Sequence, residues 1–169
     1  RASDGRPALA VRANYTMRAN DSPLSVIIAE EVQRPTPSAV QVLVEEIRRR
    51  HGQTISAILF YGSCLRKQTM EGVLDFYVLV DSYQAAYTSR LLSWMNAALP
   101  PNVFYLEAAE GQQTVRAKYA VISSRDFAQA ATPDCIHAII WGRFCQPFVL
   151  VYARDAQAHD QVVQAATQA

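Results

Sequence analysis

The chain has 169 residues and a formal net charge of +1, with 50% hydrophobic and 18% charged residues. A chain of this length can bury one good core, and its nearly balanced charge argues against nucleic acid as a partner. No apolar run approaches the roughly 18 residues of a membrane span, and the three cysteines form no C-x-x-C pair, so the sequence predicts neither a spanning helix nor a cysteine metal site.

The N-terminal part predicts a tail followed by two helices. Residues 1–20 start without Met and lack the apolar core of a signal peptide, so we expect a flexible tail ahead of one domain of residues 21–169. Pro23 is typical of the first position of a helix, which is predicted at about 23–33. A 3.6-residue apolar spacing predicts a second helix at about 37–51.

Two apolar segments then predict neighbouring buried strands. The first, 55–61, runs directly into Gly62 and Ser63, and the second, 73–80, carries Asp75 near its start. A strand that ends in Gly-Ser, followed about twelve residues later by an acidic residue on another strand, is the layout of polymerase-β-type nucleotidyltransferases. This layout predicts an enzyme that transfers a nucleotide.

The chemistry of nucleotide transfer explains the layout, because the site must hold an anionic triphosphate and the metal ion that neutralises it. Gly62 has no Cβ and lets the backbone approach phosphate oxygens, while Ser63 offers a hydroxyl and a backbone N–H. Asp75, on a rigid strand beside that turn, can coordinate Mg²⁺. The superfamily places a second carboxylate two residues later, where this chain has Tyr77. The alternative is a plain tight turn at Gly62 and a strand-end role for Asp75.

The rest of the chain completes an α/β (α+β) pattern, for which we predict a small mixed sheet flanked by helices. Further helices are predicted at about 84–98, 124–131, 133–143 and 157–168, and further strands at 103–107, 114–122 and 148–152.

Alternation puts Arg116 and Lys118 on one strand face, where they either contact phosphates or form a solvent-facing edge. Arg143 is either a phosphate ligand or a partner of a helix dipole. The three histidines form no ligand pattern and are predicted to be surface or helix-end residues: His51, His137 and His159.

Several of these segments together resemble one enzyme family. The matching motifs are Tyr61-Gly62-Ser63, Leu74-Asp75-Phe76, Val80-Asp81, Lys118-Tyr119-Ala120-Val121-Ile122-Ser123, and Gly142-Arg143-Phe144 with Pro147. Over residues 55–153 they make the sequence similar to the mitochondrial-type phosphatidate cytidylyltransferases of the translocator assembly and maintenance family. Ala120 stands where that family has glycine, and Gln146 where it often has lysine.

The resemblance implies a nucleotidyltransferase fold and an enzyme that converts CTP and phosphatidic acid to CDP-diacylglycerol and pyrophosphate with Mg²⁺. Asp75 and Lys118 are then the catalytic residues, with Asp75 as the metal ligand. The nucleotide-binding residues are Tyr61, Gly62, Ser63, Arg116 and Arg143. The resemblance also implies a peripheral protein of phospholipid biosynthesis, on the cytoplasmic or mitochondrial-matrix side of the inner membrane. We expect this chain to lack the helical domain into which the family continues.

A site with one obvious carboxylate suits an acceptor that is already ionised. A phosphate monoester, with a second pKa of about 6, needs no strong general base, whereas an alcohol does. Asp81 and Glu107 are candidates for a further metal ligand, although an extended strand would put Asp81 about 20 Å from Asp75. Two alternatives stay open: a small nucleotidyltransferase that modifies an alcohol, and a non-catalytic nucleotide- or phospholipid-binding domain, which Tyr77 would favour.

Overall fold

A computed structural model of the protein describes residues 23–86, 102–132 and 146–168. The helices are α1 (Pro23–Glu31), α2 (Ser38–His51), α3 (Ser63–Lys67), α4 (Tyr83–Ala86), α5 (Ser124–Ala130) and α6 (Ala156–Gln168). The strands are β1 (Ile55–Tyr61), β2 (Val73–Val80), β3 (Asn102–Glu110), β4 (Gln113–Ser123) and β5 (Phe148–Ala153), and a 3₁₀ turn, Gly52–Thr54, joins α2 to β1. None of the described helices is long and apolar enough to cross a membrane.

The five strands form one mixed sheet in the order β3-β4-β2-β1-β5. β1 pairs antiparallel with β2 and β5, and β3 pairs antiparallel with β4. β2 and β4 pair parallel, because the intervening chain is long enough to return β4 to the side of β2. These pairings confirm the predicted mixed sheet flanked by helices.

Helices cover both faces of the central strands, because β1 and β2 are apolar on nearly every residue and need cover on each side. On one face α2 packs its apolar stripe against Phe60 and Phe76. That stripe consists of Val40, Leu43, Val44 and Ile47, all buried. On the other face α5 and α6 pack around Leu59 and Leu79. The core therefore lies in two layers, one on each side of β1 and β2.

The described elements agree with the predicted ones to within a few residues, with two corrections. β3 and β4 are longer than predicted, so their connection is a two-residue turn that starts at Gly111, where φ is +62°. The surface or helix-end position predicted for His159 is wrong, since only 4% of this residue is exposed. The predicted tail 1–20, the helix 133–143 and most of the helix 84–98 lie outside the described residues.

Candidate functional site

The strand register brings three of the predicted site residues into one row across the sheet. Asp75 of β2 pairs with Tyr61 of β1 and with Lys118 of β4. Tyr105 and Phe148 extend the row on its two sides. Paired residues on neighbouring strands share a face of the sheet and lie about 5 Å apart. The row lies where β1 ends and β2 begins, which is also where the Gly-Ser turn emerges.

Gly62 forms the turn between β1 and α3 and packs directly on Asp75. Its φ of +92° and ψ of −160° belong to a region that essentially only glycine adopts. A Cβ added to Gly62 would lie 2.6 Å from Oδ2 of Asp75, well inside van der Waals contact. The Gly62 carbonyl accepts a hydrogen bond from the backbone N–H of Arg66 at 3.2 Å, which leads the turn into α3. The turn and the carboxylate therefore form one compact unit.

Tyr77, two residues after Asp75 on β2, is part of the core. Tyr77 is 4% exposed, and its ring stacks on that of Tyr61, with 4.4 Å between the ring centroids and 13° between the ring planes. This stacked pair fixes the end of β1 beside β2, and so helps to position Asp75. At this position the chain has aromatic packing in place of a metal ligand.

Arg116, the second predicted cation of β4, faces the outer strand. Its Nε donates a hydrogen bond to Oε1 of Glu107 at 3.1 Å, and the hydroxyl of Tyr105 donates to the same oxygen at 2.8 Å. The Tyr105 hydroxyl and then Arg116 hold the pKa of Glu107 below its ordinary value. Arg116 and Glu107 thus form an exposed ion pair, and a phosphate contact by Arg116 would compete with it. Lys118 lies between Tyr105 and Asp75 in the row.

Asp81, a candidate for a further metal ligand, lies at the opposite end of β2 from Asp75. Both of its carboxylate oxygens accept hydrogen bonds from Arg154, at 2.6 and 3.0 Å. Asp81 is the first cause of the raised pKa of Arg154. This ion pair ties the end of β2 to the chain after β5, so Asp81 has the strand-end role that its spacing from Asp75 indicated.

The oxygen donors around Asp75 fit Mg²⁺. Mg²⁺ keeps several water ligands and is usually held by one or two carboxylates together with substrate phosphates. The Asp75 carboxylate and the exposed Ser63 hydroxyl next to the Gly62 turn are hard oxygen donors of this kind. No group of three His, Cys, Asp or Glu side chains in the described ranges forms a metal site by itself. A Mg²⁺ ion held here would take its remaining ligands from water or from a bound phosphate. Arg143 lies outside the described residues.

A cavity of about 870 Å³, which no sequence pattern predicted, lies beside this site. Its described lining comes from α1, the connection to α2, Phe60 of β1, α3, the loop after α3, the start of β5 with the two residues before it, and Ala166 of α6. No periodic pattern joins these segments, because they meet only through the fold. Phe148 belongs both to this lining and to the row that contains Asp75.

Comparison with known proteins identifies no family for this chain. No protein-family model matches the sequence. No curated protein matches it either.

Proposed function

We propose that the chain is a Mg²⁺-dependent nucleotidyltransferase of the phosphatidate cytidylyltransferase type, which forms CDP-diacylglycerol and pyrophosphate from CTP and phosphatidic acid. The observation that carries this proposal is the packing of the Gly62 turn on Asp75, with Lys118 next to Asp75 in the strand register. A backbone open to phosphate, a carboxylate and a cation are the groups that nucleotidyl transfer requires.

Each of these groups has a task in the proposed reaction. The turn at Gly62 and Ser63 offers backbone N–H groups and the Ser63 hydroxyl to the triphosphate, Asp75 holds the metal ion, and Lys118 contacts the charge that develops on the phosphates. When bound, Mg²⁺ neutralises the triphosphate and favours departure of pyrophosphate. An oxygen of the phosphatidate phosphate attacks the α-phosphorus of CTP in line. A new P–O–P bond forms as the bond to the oxygen that bridges to the β-phosphorus breaks, and pyrophosphate leaves with that oxygen.

The buried Tyr77 supports an acceptor that needs no strong base. A second carboxylate at this position would help to deprotonate an alcohol, and here an aromatic ring is stacked instead. A phosphate monoester is largely ionised near neutral pH and can attack without that help. The choice of CTP and of phosphatidate, and a peripheral position at a membrane surface, rest on the motif resemblance.

Pyrophosphate release tests the proposal. The 169-residue chain is incubated with Mg²⁺ and each of the four nucleoside triphosphates, with and without vesicles that contain phosphatidic acid. Asp75→Asn is the test variant and Asp81→Asn the matched control, since Asp75 lies near the start of β2 while Asp81 directly follows its end and pairs with Arg154 there. We expect release only with CTP and phosphatidic acid, a loss of at least about a hundredfold in Asp75→Asn, and activity retained in Asp81→Asn.

Other results would separate the alternatives. Release that depends on an alcohol acceptor and ignores phosphatidic acid would favour a different nucleotidyltransferase. CTP binding detected by calorimetry without any release, unchanged in Asp75→Asn, would contradict the proposal and identify a non-catalytic binding domain.

A further inference from the structure

The cavity beside the candidate site has an apolar interior. It opens at the end of the sheet where β1 ends and β5 begins, and its volume of about 870 Å³ is typical of sites for small organic ligands. Its apolar lining includes Ile28, Val32, Leu65, Met70, Phe148 and Val149. These side chains come from three separate parts of the fold and surround a space that is large enough for a flexible hydrocarbon chain.

Two arginines are exposed among the residues that line the cavity. Arg34 pairs with Glu31 at the end of α1, and Nη1 of Arg66 donates a hydrogen bond to Oε1 of Gln146 at 2.8 Å. Because both guanidinium groups are solvent-exposed, they mark the rim of the cavity and not its interior. Glu31 lines the cavity too and neutralises Arg34, so Arg66 gives the rim its net positive charge. An apolar interior with such a rim fits a ligand that joins a hydrocarbon part to an anionic head.

Helix α1 adds exposed apolar surface next to the cavity. Leu24 and Ile27 are 52% and 57% exposed, and they lie three residues apart, on one side of the helix. Ile28, one position further along and four residues from Leu24, lines the cavity. Exposed apolar side chains that continue into a cavity mark an interaction surface, and a membrane is the surface from which the proposed lipid substrate comes. The exposed apolar side of α1 is therefore continuous with the cavity at Ile28, while Glu31, which also lines the cavity, is paired with Arg34.

We propose that this cavity holds an acyl chain of the lipid acceptor, with the lipid phosphate directed towards Asp75 and Lys118. This inference rests on the proposed function, since that function supplies the lipid. The register gives the distance: Phe148 pairs with Tyr61, and Tyr61 with Asp75, so the cavity wall lies two strand spacings, roughly 10 Å, from the carboxylate. A glycerol backbone and an ester group can bridge such a gap between phosphate and chain.

Binding of a fluorescent acyl probe tests the acyl site without any turnover. The probe is dansyl-labelled undecanoic acid, used below its micelle concentration with the 169-residue chain. Ala166→Phe fills the cavity from α6, and Ala156→Phe is the matched control at the exposed start of the same helix. We expect the unaltered chain and Ala156→Phe to bind the probe alike, and Ala166→Phe to bind it at least about tenfold more weakly.

Competition experiments identify the kind of lipid that supplies the acyl chain. Dioleoyl phosphatidate is expected to displace the probe at lower concentration than oleate, because only the former also offers a phosphate to the site, and glycerol 3-phosphate is expected not to displace it. Met70→Trp, at another residue of the lining, is a second filling variant should Ala166→Phe lose its helical circular dichroism. No probe binding by the unaltered chain, or equal binding by the filling and control variants, would overturn the inference.

Failure of this inference is distinguishable from failure of the proposed function. If pyrophosphate release depends on phosphatidate but the probe binds no better to the control than to the filling variants, the acyl site is wrong and the transferase stands. If the filling variants abolish probe binding while no nucleotide is ever transferred, the acyl site stands and the reaction is wrong. Asp75→Asn should leave probe binding unchanged, because Asp75 does not line the cavity.

Discussion

At Gly62 two separate requirements for glycine coincide. The backbone, with φ of +92°, disfavours any side chain, and the space for a Cβ is occupied by the carboxylate of Asp75. Gly52 has only the first requirement: its φ is +60° and ψ −138°, but nothing lies within 4 Å of an added Cβ. Comparing substitutions at the two glycines therefore separates the effect of the contact with Asp75 from the effect of the glycine backbone conformation.

Alanine substitution at the two glycines should therefore have different consequences. Gly62→Ala and Gly52→Ala should each lower the free energy of unfolding by about 1–3 kcal/mol, because both force a side chain into a glycine conformation. Only Gly62→Ala should also weaken Mn²⁺ binding in the presence of CTP, since the Asp75 carboxylate must turn away from the new methyl group. Urea unfolding and calorimetric titration measure the two effects. Equal Mn²⁺ affinity in both variants would show that the Gly62 contact does not position Asp75.

At the scale of elements, one junction joins β4, α5 and α4. Ser123 is the last residue of β4, and its Oγ accepts a hydrogen bond from the Asp126 N–H at 3.1 Å, which makes it the N-cap of α5. Asp126 Oδ2 in turn accepts a hydrogen bond from the hydroxyl of Tyr83 at 2.6 Å. Burial and then this carboxylate raise the pKa of Tyr83, so the hydroxyl stays protonated and keeps donating. The cap therefore helps to hold α4 as well as α5.

Removal of the cap should destabilise the protein measurably. Ser123→Ala should lower the free energy of unfolding by about 1 kcal/mol, because the Asp126 N–H loses its acceptor in a largely buried position. Ser123→Thr keeps the hydroxyl and should lose much less. Urea unfolding followed by circular dichroism compares the variants. Equal losses in both would indicate that Ser123 contributes through its size and not through its hydroxyl.

Elements whose pattern is local were predictable from the sequence. β1 and β2 are continuous apolar runs, and α2 has a regular apolar stripe, so their positions follow from burial alone. Gly62, Ser63 and Asp75 were predicted as neighbours from a known layout of motifs, and the packing of Gly62 on Asp75 is consistent with it.

Features that depend on strand pairing and register could not be derived from the pattern of any one segment. Lys118 was expected in one site with Asp75 only through the motif resemblance, because alternation within one strand does not specify a partner strand; the parallel pairing of β4 with β2 brings the two residues together. The Tyr61–Tyr77 stack and the apolar cavity arise in the same way, from segments that meet only in three dimensions. The ion pair between Arg116 and Glu107 likewise follows from the register of the β3–β4 hairpin, in which the two residues pair directly.

At the scale of the whole molecule, His51 joins the helix layer to the outer part of the sheet. Its Nε2 lies 3.3 Å from the Tyr119 hydroxyl of β4, and its ring meets those of Tyr119 and Phe104 edge-on, with centroids 5.6 and 6.3 Å away. Within the described part of the chain its buried Nδ1 has no hydrogen-bond partner. Burial first, and then the charge of Arg50, lower the pKa of His51, while the Ala86 backbone partly offsets them. The folded protein thus prefers the neutral imidazole.

This preference should make global stability depend on pH in a defined direction. The lowered pKa means that the unfolded chain binds a proton first as the pH falls below about 6.5, so stability is full above that value and declines below it. One proton limits the slope to about 1.4 kcal/mol per pH unit, and partial solvent access should keep it smaller. His51→Gln should flatten the dependence between pH 7 and 5 in urea unfolding, whatever its own effect on stability. If the slope persists unchanged in His51→Gln, the pH dependence of stability comes from another titratable group.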